Sequence, residues 1–373
     1  MNHKDFVSPS QMALLLLAFT LGSSIVFIPN PVIHAASNSA WISVVISGTA
    51  GIPGLLSVLY LYRIYPDKSS IQYLGDIFGK WIGTVFAVLM LLAIVRMTAN
   101  IVIGVGAFFT TTMMLGTPLY EFHVLILLVA ALTALAGIEV TARLFNLFLL
   151  VMLATIILIL LFGMGNYHPA NLLPQFTGGI SPILHGAIIN FGFPYSEIFT
   201  FSILLYFVRP ARNEPLGRLL FSVYALNMLI FIMVVLCATM TFGSGAGHRN
   251  FTLYVMARVT HISGFVERSD AIAGITLIAG SYIKATIALI SLSSGIAHLL
   301  KLKDSRSVIL PLVLLLLFMS LTTYSTQMES SITWYLIVPA INMCATIPII
   351  LAAVTTMIKR GFRKEGKLNT AEE

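Results

Sequence analysis

The chain has 373 residues, of which 58% are hydrophobic and only 9% are charged, and its mean hydropathy is +0.95. A soluble protein carries about 25% charged residues, so this composition excludes an ordinary soluble domain and indicates an integral membrane protein. The net charge of +7 does not indicate nucleic acid binding, because the basic residues are spread over the loops between apolar segments.

Ten apolar segments, each long enough to cross the hydrocarbon core, follow one another along the chain. They cover roughly residues 10–34, 40–63, 81–112, 119–137, 140–165, 182–208, 214–242, 269–300, 306–326 and 333–358. The composition and the spacing therefore predict an all-α protein with ten membrane spans.

Basic residues are unevenly distributed between the two sets of loops. With the N-terminus inside, the inner segments hold Lys4, Arg63, Lys68, Lys80, Arg143, Arg209, Arg212, Arg218, Lys301, Lys303, Arg306, Lys359 and four basic residues of the tail. The outer segments hold only Arg249, Arg258 and Arg268. The positive-inside rule thus predicts that both termini are cytoplasmic, including the polar tail at 360–373.

Two of the spans are interrupted at corresponding places. The first break is the sequence Leu21–Ser24 in span one, and the second is Asn190–Glu197 in span six. Broken helices at membrane depth expose backbone groups that lipid cannot satisfy, so they persist where they are buried or line a polar cavity. The spacing of the breaks predicts two repeats of five helices each, with a ligand site between the breaks.

Two short amphipathic segments support the same symmetry. Residues 69–80 lie between spans two and three, and residues 251–262 lie between spans seven and eight, which is the corresponding place in the second half. We expect short interfacial helices on opposite faces of the membrane. The predicted organisation is an inverted repeat, with spans one to five in 1–165 and spans six to ten in 166–359.

Several local sequences resemble those of a known family. They are Ala40-Trp41-Ile42-Ser43, Gly116-Thr117-Pro118-Leu119, Phe193-Pro194-Tyr195-Ser196-Glu197, Glu267-Arg268-Ser269-Asp270-Ala271, Tyr282-Ile283-Lys284 and Leu300-Lys301-Leu302-Lys303-Asp304. The chain from Gln11 to about Lys359 is similar to the B subunits of nutrient germinant receptors of bacterial endospores, within the amino acid–polyamine–organocation transporter superfamily.

This resemblance implies a fold and a setting. The fold is the LeuT-like five-plus-five inverted repeat with helices one and six broken. The expected location is the spore inner membrane, together with a membrane-bound A subunit and a lipoprotein C subunit. The expected activity is binding of a small nutrient, such as an amino acid, that starts germination.

Three ionisable residues lie near the middle of their spans: Arg96, Glu197 and Lys284. Each costs about 2.5–3.5 kcal/mol or more at the centre of a helix that faces lipid, so we expect them to face inward and to find partners. One anion and two cations leave an excess of +1, which suits a ligand carboxylate. Arg96 and Lys284 are therefore predicted to set the charge of the cavity.

The breaks offer complementary groups for an α-amino acid. The helix end at Gly22, Ser23 and Ser24 presents free N–H groups and hydroxyls to a carboxylate. The unwound carbonyls after Asn190, together with Glu197, suit an ammonium group, and aromatic rings supply an apolar wall. The predicted ligand-binding residues are Gly22, Ser23, Ser24, Asn100, Asn190, Phe191, Gly192, Phe193, Pro194, Tyr195 and Glu197.

Structural alternatives remain open for these residues. Gly22 also suits close helix packing, and Pro194 also suits a simple kink. Glu197 and Lys284 also suit a structural ion pair. Arg96 also suits a bond to backbone carbonyls, and the asparagines also suit bonds between helices.

Other classes of site receive little support from the sequence. Glu267, Arg268 and Asp270 stand at the outer entrance to span eight, where they suit a gate, a contact with a partner subunit or helix capping. There is no catalytic constellation, and the histidines show no metal-ligand spacing, so neither an enzyme nor a cofactor or metal is predicted.

Two functions fit this sequence. A receptor would bind its nutrient and shift between conformations without moving the nutrient. A proton- or sodium-coupled amino acid transporter would alternate access to the same site, and in such relatives a lysine ammonium like that of Lys284 replaces a sodium ion between spans one and eight. The family resemblance favours the receptor.

Overall fold

The computed structural model describes residues 6–209, 215–259, 269–324 and 336–369, in which the regular structure is helical. The helices are α1 (Pro9–Leu21), α2 (Ser24–Phe27), α3 (Pro29–Ala36), α4 (Ala40–Ile64), α5 (Ser70–Phe78), α6 (Lys80–Phe108), α7 (Leu119–Ala136), α8 (Ile138–Phe162), α9 (Ile180–Asn190), α10 (Phe199–Leu204), α11 (Leu216–Phe242), α12 (Thr252–Val259), α13 (Ser269–Leu300), α14 (Ile309–Thr322) and α15 (Val338–Asn369). Ten helical segments of the described chain are long and apolar enough to cross a membrane, as predicted.

The first span breaks where the sequence predicts. Ser8 and Gln11 form a reciprocal capping box that starts α1, and α1 ends at Leu21 before Gly22. The four-residue α2 follows, and then α3 begins at Pro29, where the missing N–H of proline costs no helical hydrogen bond. The part of span one that follows the break is therefore two short helices, and a positive φ of 48° at Ser37 turns the chain towards α4.

The sixth span breaks between α9 and α10, again as predicted. Phe193 leaves the helical region with φ −157° and ψ 102°, because a proline disfavours helical geometry in the residue before it. The carbonyl of Gly192 accepts bonds from Ser196 Oγ (2.8 Å) and from Asn342 Nδ2 (3.0 Å). Thr346 Oγ1 donates to the carbonyl of Ser196 at 2.8 Å. Side chains of α15 thus satisfy the backbone that the break exposes.

Helix α13 crosses both broken spans in the middle of the bundle. Most of its side chains between Ala273 and Ser294 are buried. It passes the first break at Gly22, where a methyl group on Gly22 would lie 3.1 Å from the carbonyl oxygen of Gly280. A methyl group on Gly280 would overlap the backbone of Gly22. The two backbones can approach each other this closely only because both residues are glycine.

The two short helices of the connecting segments are also present. A capping box of Ser69 and Gln72 starts α5, and Lys359 Nζ donates to the carbonyl of Ile77 at 3.0 Å. Helix α12 fills the corresponding connection of the second half, and the predicted residues beyond Val259 lie outside the described chain. Both helices are where the inverted repeat requires them.

Candidate functional site

Lys284 is the centre of the candidate site. Its ammonium lies 2.6 Å from Glu197 Oε2 and donates to Ser24 Oγ at 2.8 Å. Both side chains of the ion pair have no exposed surface. Since Ser24 begins α2 and Glu197 lies at the end of the second break, one side chain of α13 joins the two broken spans.

Aromatic rings surround the same ammonium. Lys284 Nζ lies 3.4 Å from the centre of the Phe193 ring and 5.2 Å from the centre of the Phe19 ring. A cation attracts the negative face of an aromatic ring, more strongly where water is excluded. Phe193 can approach because its extended backbone turns it out of the helical path of span six.

The contact between Gly22 and Gly280 determines how closely Lys284 approaches the first break. Gly280 and Lys284 are four residues apart, so they lie on one face of α13. Because the backbone of Gly280 touches that of Gly22, the next turn of α13 passes Ser24 at hydrogen-bond distance. The close packing at Gly22 is therefore part of the same arrangement as the ion pair.

Several buried polar atoms of residues close in sequence to the ion pair and to Ser24 have no hydrogen-bond partner among the described residues. They are Ser23 Oγ, Glu197 Oε1, Thr200 Oγ1 and Ser281 Oγ. Glu197 is a member of the ion pair, and Ser23 is the neighbour of Ser24. Thr200 lies within one helical turn of Glu197, and Ser281 lies within one helical turn of Lys284. Buried polar groups are normally bonded, so this group of atoms has unused capacity for a polar ligand.

Arg96 makes its contacts elsewhere. Its Nη2 donates to the hydroxyl of Tyr324 at 2.8 Å, and its guanidinium lies 5.1 Å from the centre of that ring. The same hydroxyl donates to Asn100 Oδ1 at 3.0 Å. Arg96 and Asn100 of α6 thus form a cluster with Tyr324, two residues beyond the end of α14, and none of these contacts among the described residues joins this cluster to Lys284.

Two further residues of the second break, Asn190 and Tyr195, contact neighbouring helices. Asn190 Nδ2 donates to Ser47 Oγ in α4 at 2.6 Å. Tyr195 packs at a tilt on Tyr224, with ring centres 5.4 Å apart. A small cavity of about 20 Å³ lies against Tyr195 between α4 and α15, which is room for about one water molecule. The structure thus separates Tyr195 from Phe193, which faces Lys284.

The expected outer trio is largely outside the described chain. Glu267 and Arg268 are not among the described residues, and of Asp270 only the backbone, at the start of α13, is described. Their role as a gate or a partner contact stays a prediction.

At the opposite end of the bundle, the ends of the two broken spans are joined. Val7 N–H donates to the carbonyl of Phe207 at 3.1 Å, and Arg209 N–H donates to the carbonyl of Val7 at 3.0 Å. The guanidinium of Arg209 lies 4.3 Å from the centre of the Phe6 ring. This bridge closes the bundle below the ion pair, which is buried on every side.

A model of the family described as "Spore germination protein" matches residues 6–328, which is more than half of the chain. The chain belongs to this family of spore germination permeases. The resemblance stated from local sequence is confirmed, and the family is a transporter-like one rather than a family of enzymes.

Two curated relatives come from Bacillus subtilis (strain 168). Spore germination protein KB is 26% identical over 328 residues, which cover 86% of this chain and 85% of that protein. Spore germination protein YndE is 21% identical over 363 residues, covering 95% of this chain and 98% of that protein. The similarity therefore extends over the whole bundle and both breaks.

Two solved structures, one of them a symporter, have a similar architecture. A Na⁺-coupled sialic acid symporter in a substrate-bound outward-open state has a TM-score of 0.69 at 14% identity, covering 93% of this chain and 79% of the symporter. MhsT in complex with L-phenylalanine has a TM-score of 0.65 at 11% identity, covering 94% of this chain and 88% of MhsT. These likenesses confirm the LeuT-like fold and carry no conclusion about the ligand.

Two residues at the ion pair of this germination-family protein are not among the predicted site residues. Gly280 precedes Lys284 by one helical turn, and this spacing is the signal that could have indicated a close contact on that face. Phe19 precedes the first break by two residues and is one of many aromatic residues in apolar segments, so its role depends on the packing of α1 against α13.

The bond from α15 to the second break gives a first testable prediction. Thr346→Val removes the hydroxyl that donates to the carbonyl of Ser196 and keeps the shape of the side chain. Since hydrogen bonds between membrane helices contribute about 0.6 kcal/mol on average and up to about 1.7 kcal/mol, we expect a loss of about 1 kcal/mol in the free energy of unfolding. Thermal unfolding of the purified protein in detergent measures it.

Thr356→Val in the same helix is the matched control. Thr356 is also buried, but its hydroxyl donates to the carbonyl of Ala352 in its own helix. This variant should unfold close to the wild-type temperature. Equal unfolding temperatures for the two variants would show that the bond between α15 and the break does not stabilise the fold.

Proposed function

We propose that this protein is the nutrient-sensing membrane subunit of a germinant receptor in the spore inner membrane, with both termini in the cytoplasm. Membership of the spore germination family and the similarity to germination protein KB support this setting. Its proposed partners are a membrane-bound A subunit and a lipoprotein C subunit. The proposed ligand is a small zwitterionic nutrient, in the first place an α-amino acid.

One observation carries the proposal: the ammonium of Lys284 binds Ser24 of the first break and Glu197 of the second. In a LeuT-like fold the breaks of spans one and six lie at the substrate depth. A ligand that enters between them meets a cation and an anion that already face each other. A zwitterion matches both charges and adds no net charge to the buried site.

The mechanism that we infer is an exchange of partners. The ligand ammonium takes the place of Lys284 at Glu197, and the ligand carboxylate binds Lys284 and the hydroxyls of Ser23 and Ser24. Two buried ion pairs then replace one, so no charge is left unpaired. Because Lys284 joins the two breaks in the unliganded state, exchanging its partner changes how spans one and six are held together.

Signalling follows if the two states have different affinities for the nutrient. A ligand shifts a conformational equilibrium by its differential affinity for the two states. The bridge of Val7 with Phe207 and Arg209 joins the cytoplasmic ends of the same two spans. A change at the breaks therefore has a direct route to the cytoplasmic face and to partner subunits there.

Secondary transport of an amino acid is the second candidate function. The transporter folds of the structural neighbours favour it, and a site buried on every side is the occluded state that alternating access requires. Counterflow in liposomes separates the candidates. A transporter loaded with unlabelled amino acid accumulates the labelled one, whereas a receptor binds it without accumulation.

The decisive experiment is binding of labelled amino acids to the purified protein and to Ser23→Ala. Ser23 Oγ has no hydrogen-bond partner among the described residues, so its removal should leave stability unchanged. If the hydroxyl binds the ligand carboxylate, the variant loses a charge-assisted bond of about 1.5–3 kcal/mol, and affinity falls at least tenfold. The panel includes the matching carboxylic acids and amines, which should each fail to bind.

Ser320→Ala is the control for this experiment. Ser320 is also buried, but its hydroxyl donates to the carbonyl of Leu317 within α14. This variant should bind like the wild type. Absence of saturable binding by the protein both alone and reconstituted with its partner subunits would refute the proposed ligand class.

A further inference from the structure

Two histidines that are far apart in the sequence meet at the end of the bundle opposite the N-terminus. His34 lies in the last turn of α3, and His248 ends the glycine-rich turn that follows α11. Their ring centres are 5.1 Å apart, with an angle of 80° between the ring planes. Both side chains are exposed, so this pair of imidazoles is accessible from solution.

Contacts of the backbone fix the positions of the two segments that carry the rings. A methyl group on Gly247 would lie 2.5 Å from both Cα and N of His34, so the turn packs directly on the backbone of α3. On the other side of His248, the carbonyl of Arg249 accepts a bond from Asn30 Nδ2 at 2.8 Å. Asn30 and His34 are four residues apart and lie on one face of α3. The segments that carry the imidazoles are therefore fixed before any ligand arrives.

The spacing of the rings matches a shared metal ion. Two imidazoles that bind one tetrahedral Zn²⁺ through Zn–N bonds of about 2.0–2.1 Å place their ring centres about 5 Å apart. We propose that His34 and His248 bind one divalent transition-metal ion of the zinc or copper type. The spacing of histidines along the sequence predicts no metal site, and it is the packing of α3 on the turn after α11 that creates this one.

The charged and ligating groups around the two rings bear on the binding of a cation. Arg249 is the nearest basic residue in sequence, and its guanidinium is held over the Phe242 ring, 4.6 Å from the ring centre. No group of three or more His, Cys, Asp or Glu side chains suited to a metal occurs in the described chain. Water would fill the remaining coordination positions, so the ion should exchange readily.

The expected consequence is a link between the outer half of span one and the loop after span seven. Helix α3 follows the first break, and its position must change if the site between the breaks opens towards this face. A metal ion bound by both histidines would hold α3 against the turn at 243–248. This site is separate from the ion pair of Lys284, so its existence does not depend on the proposed nutrient.

The test uses the full-length protein purified with a tag that contains no histidine, and Cu²⁺ as the probe, because Cu²⁺ is bound more tightly than the other divalent ions of the series. We expect one Cu²⁺ per chain with two imidazole nitrogens in its electron paramagnetic resonance spectrum, and displacement by excess Zn²⁺. His34→Ala and His248→Ala should each lower the affinity at least tenfold. His248→Asn, which keeps a polar side chain, should do the same.

His185→Ala is the matched control, since His185 is exposed on α9 and outside this ring contact. It should bind Cu²⁺ like the wild type, and all variants should keep the wild-type elution volume in size-exclusion chromatography. Unchanged binding in both His34→Ala and His248→Ala would overturn the proposal. So would loss in only one of the two variants, or absence of binding by the wild type.

Discussion

Lys284→Met should lower the free energy of unfolding by about 3–5 kcal/mol, because it leaves the carboxylate of Glu197 buried without its cation. Methionine fills nearly the same volume, so the loss of charge and not of packing is what the variant measures. Glu197→Gln should also destabilise, since the ammonium of Lys284 then lacks its anion. Unfolding temperatures in detergent and a denaturant titration report both effects.

The double variant Lys284→Met with Glu197→Gln separates charge pairing from packing. Replacing both members of a buried ion pair by neutral groups is often close to neutral for stability, so this variant should recover most of the loss. Lys359→Met is the control, because Lys359 is an exposed lysine that donates to one backbone carbonyl. If the losses of the two single variants simply add in the double variant, the pair is not coupled, and its assigned role is wrong.

The recovered double variant should nevertheless fail to respond to nutrient. It lacks both charges that the proposed zwitterionic ligand requires, although its fold is intact. This combination of near-normal stability with lost nutrient binding distinguishes a ligand site from a structural ion pair, which is the alternative interpretation of Glu197 and Lys284.

Gly280→Ala should separate α13 from the first break and abolish nutrient binding. Its methyl group would overlap the backbone of Gly22, and backbone atoms cannot move aside as a flexible side chain does. Overpacking of this kind costs about 1–3 kcal/mol. Because Lys284 lies one turn further along α13, the same displacement carries its ammonium away from Ser24. Thermal unfolding and amino acid binding measure the two consequences.

Gly75→Ala is the contrasting variant. Gly75 lies inside α5, and a methyl group there would have no neighbour within 4 Å among the described residues. Since alanine is favoured over glycine inside helices by roughly 0.5–1 kcal/mol, this variant should be as stable as the wild type or slightly more stable. Wild-type stability and binding in Gly280→Ala would contradict the close backbone contact.

The physical logic of the site lies in its balance of charges. A buried ion pair is weak evidence for stability, because the loss of hydration offsets much of the attraction between the charges. Here the pair also links three separate helical segments through Ser24, Glu197 and α13. A site that already holds a cation against an anion can accept a zwitterion by exchanging partners, without burying an unpaired charge at any stage.

The sequence by itself determines the spans and the two breaks. The length of each apolar segment predicts the ten membrane spans. Gly22 and Pro194 each interrupt the helix that contains them, so both breaks are predictable from local rules. The same is true of α5, whose capping box of Ser69 and Gln72 is a local pattern. The sequence also shows three ionisable residues inside spans, where such residues are rare. The structure buries Glu197 and Lys284 completely and Arg96 only in part.

Only the tertiary structure decides which of these groups meet. From the sequence, Arg96 and Lys284 are equivalent cations. In the structure, Lys284 contacts Glu197 and Ser24, whereas Arg96 contacts Tyr324. Likewise, His34 and His248 meet through the contact of Gly247 with α3. The pairing of side chains depends on the rotation and separation of whole helices, which arise from many contacts between distant segments and leave no pattern in any one of them.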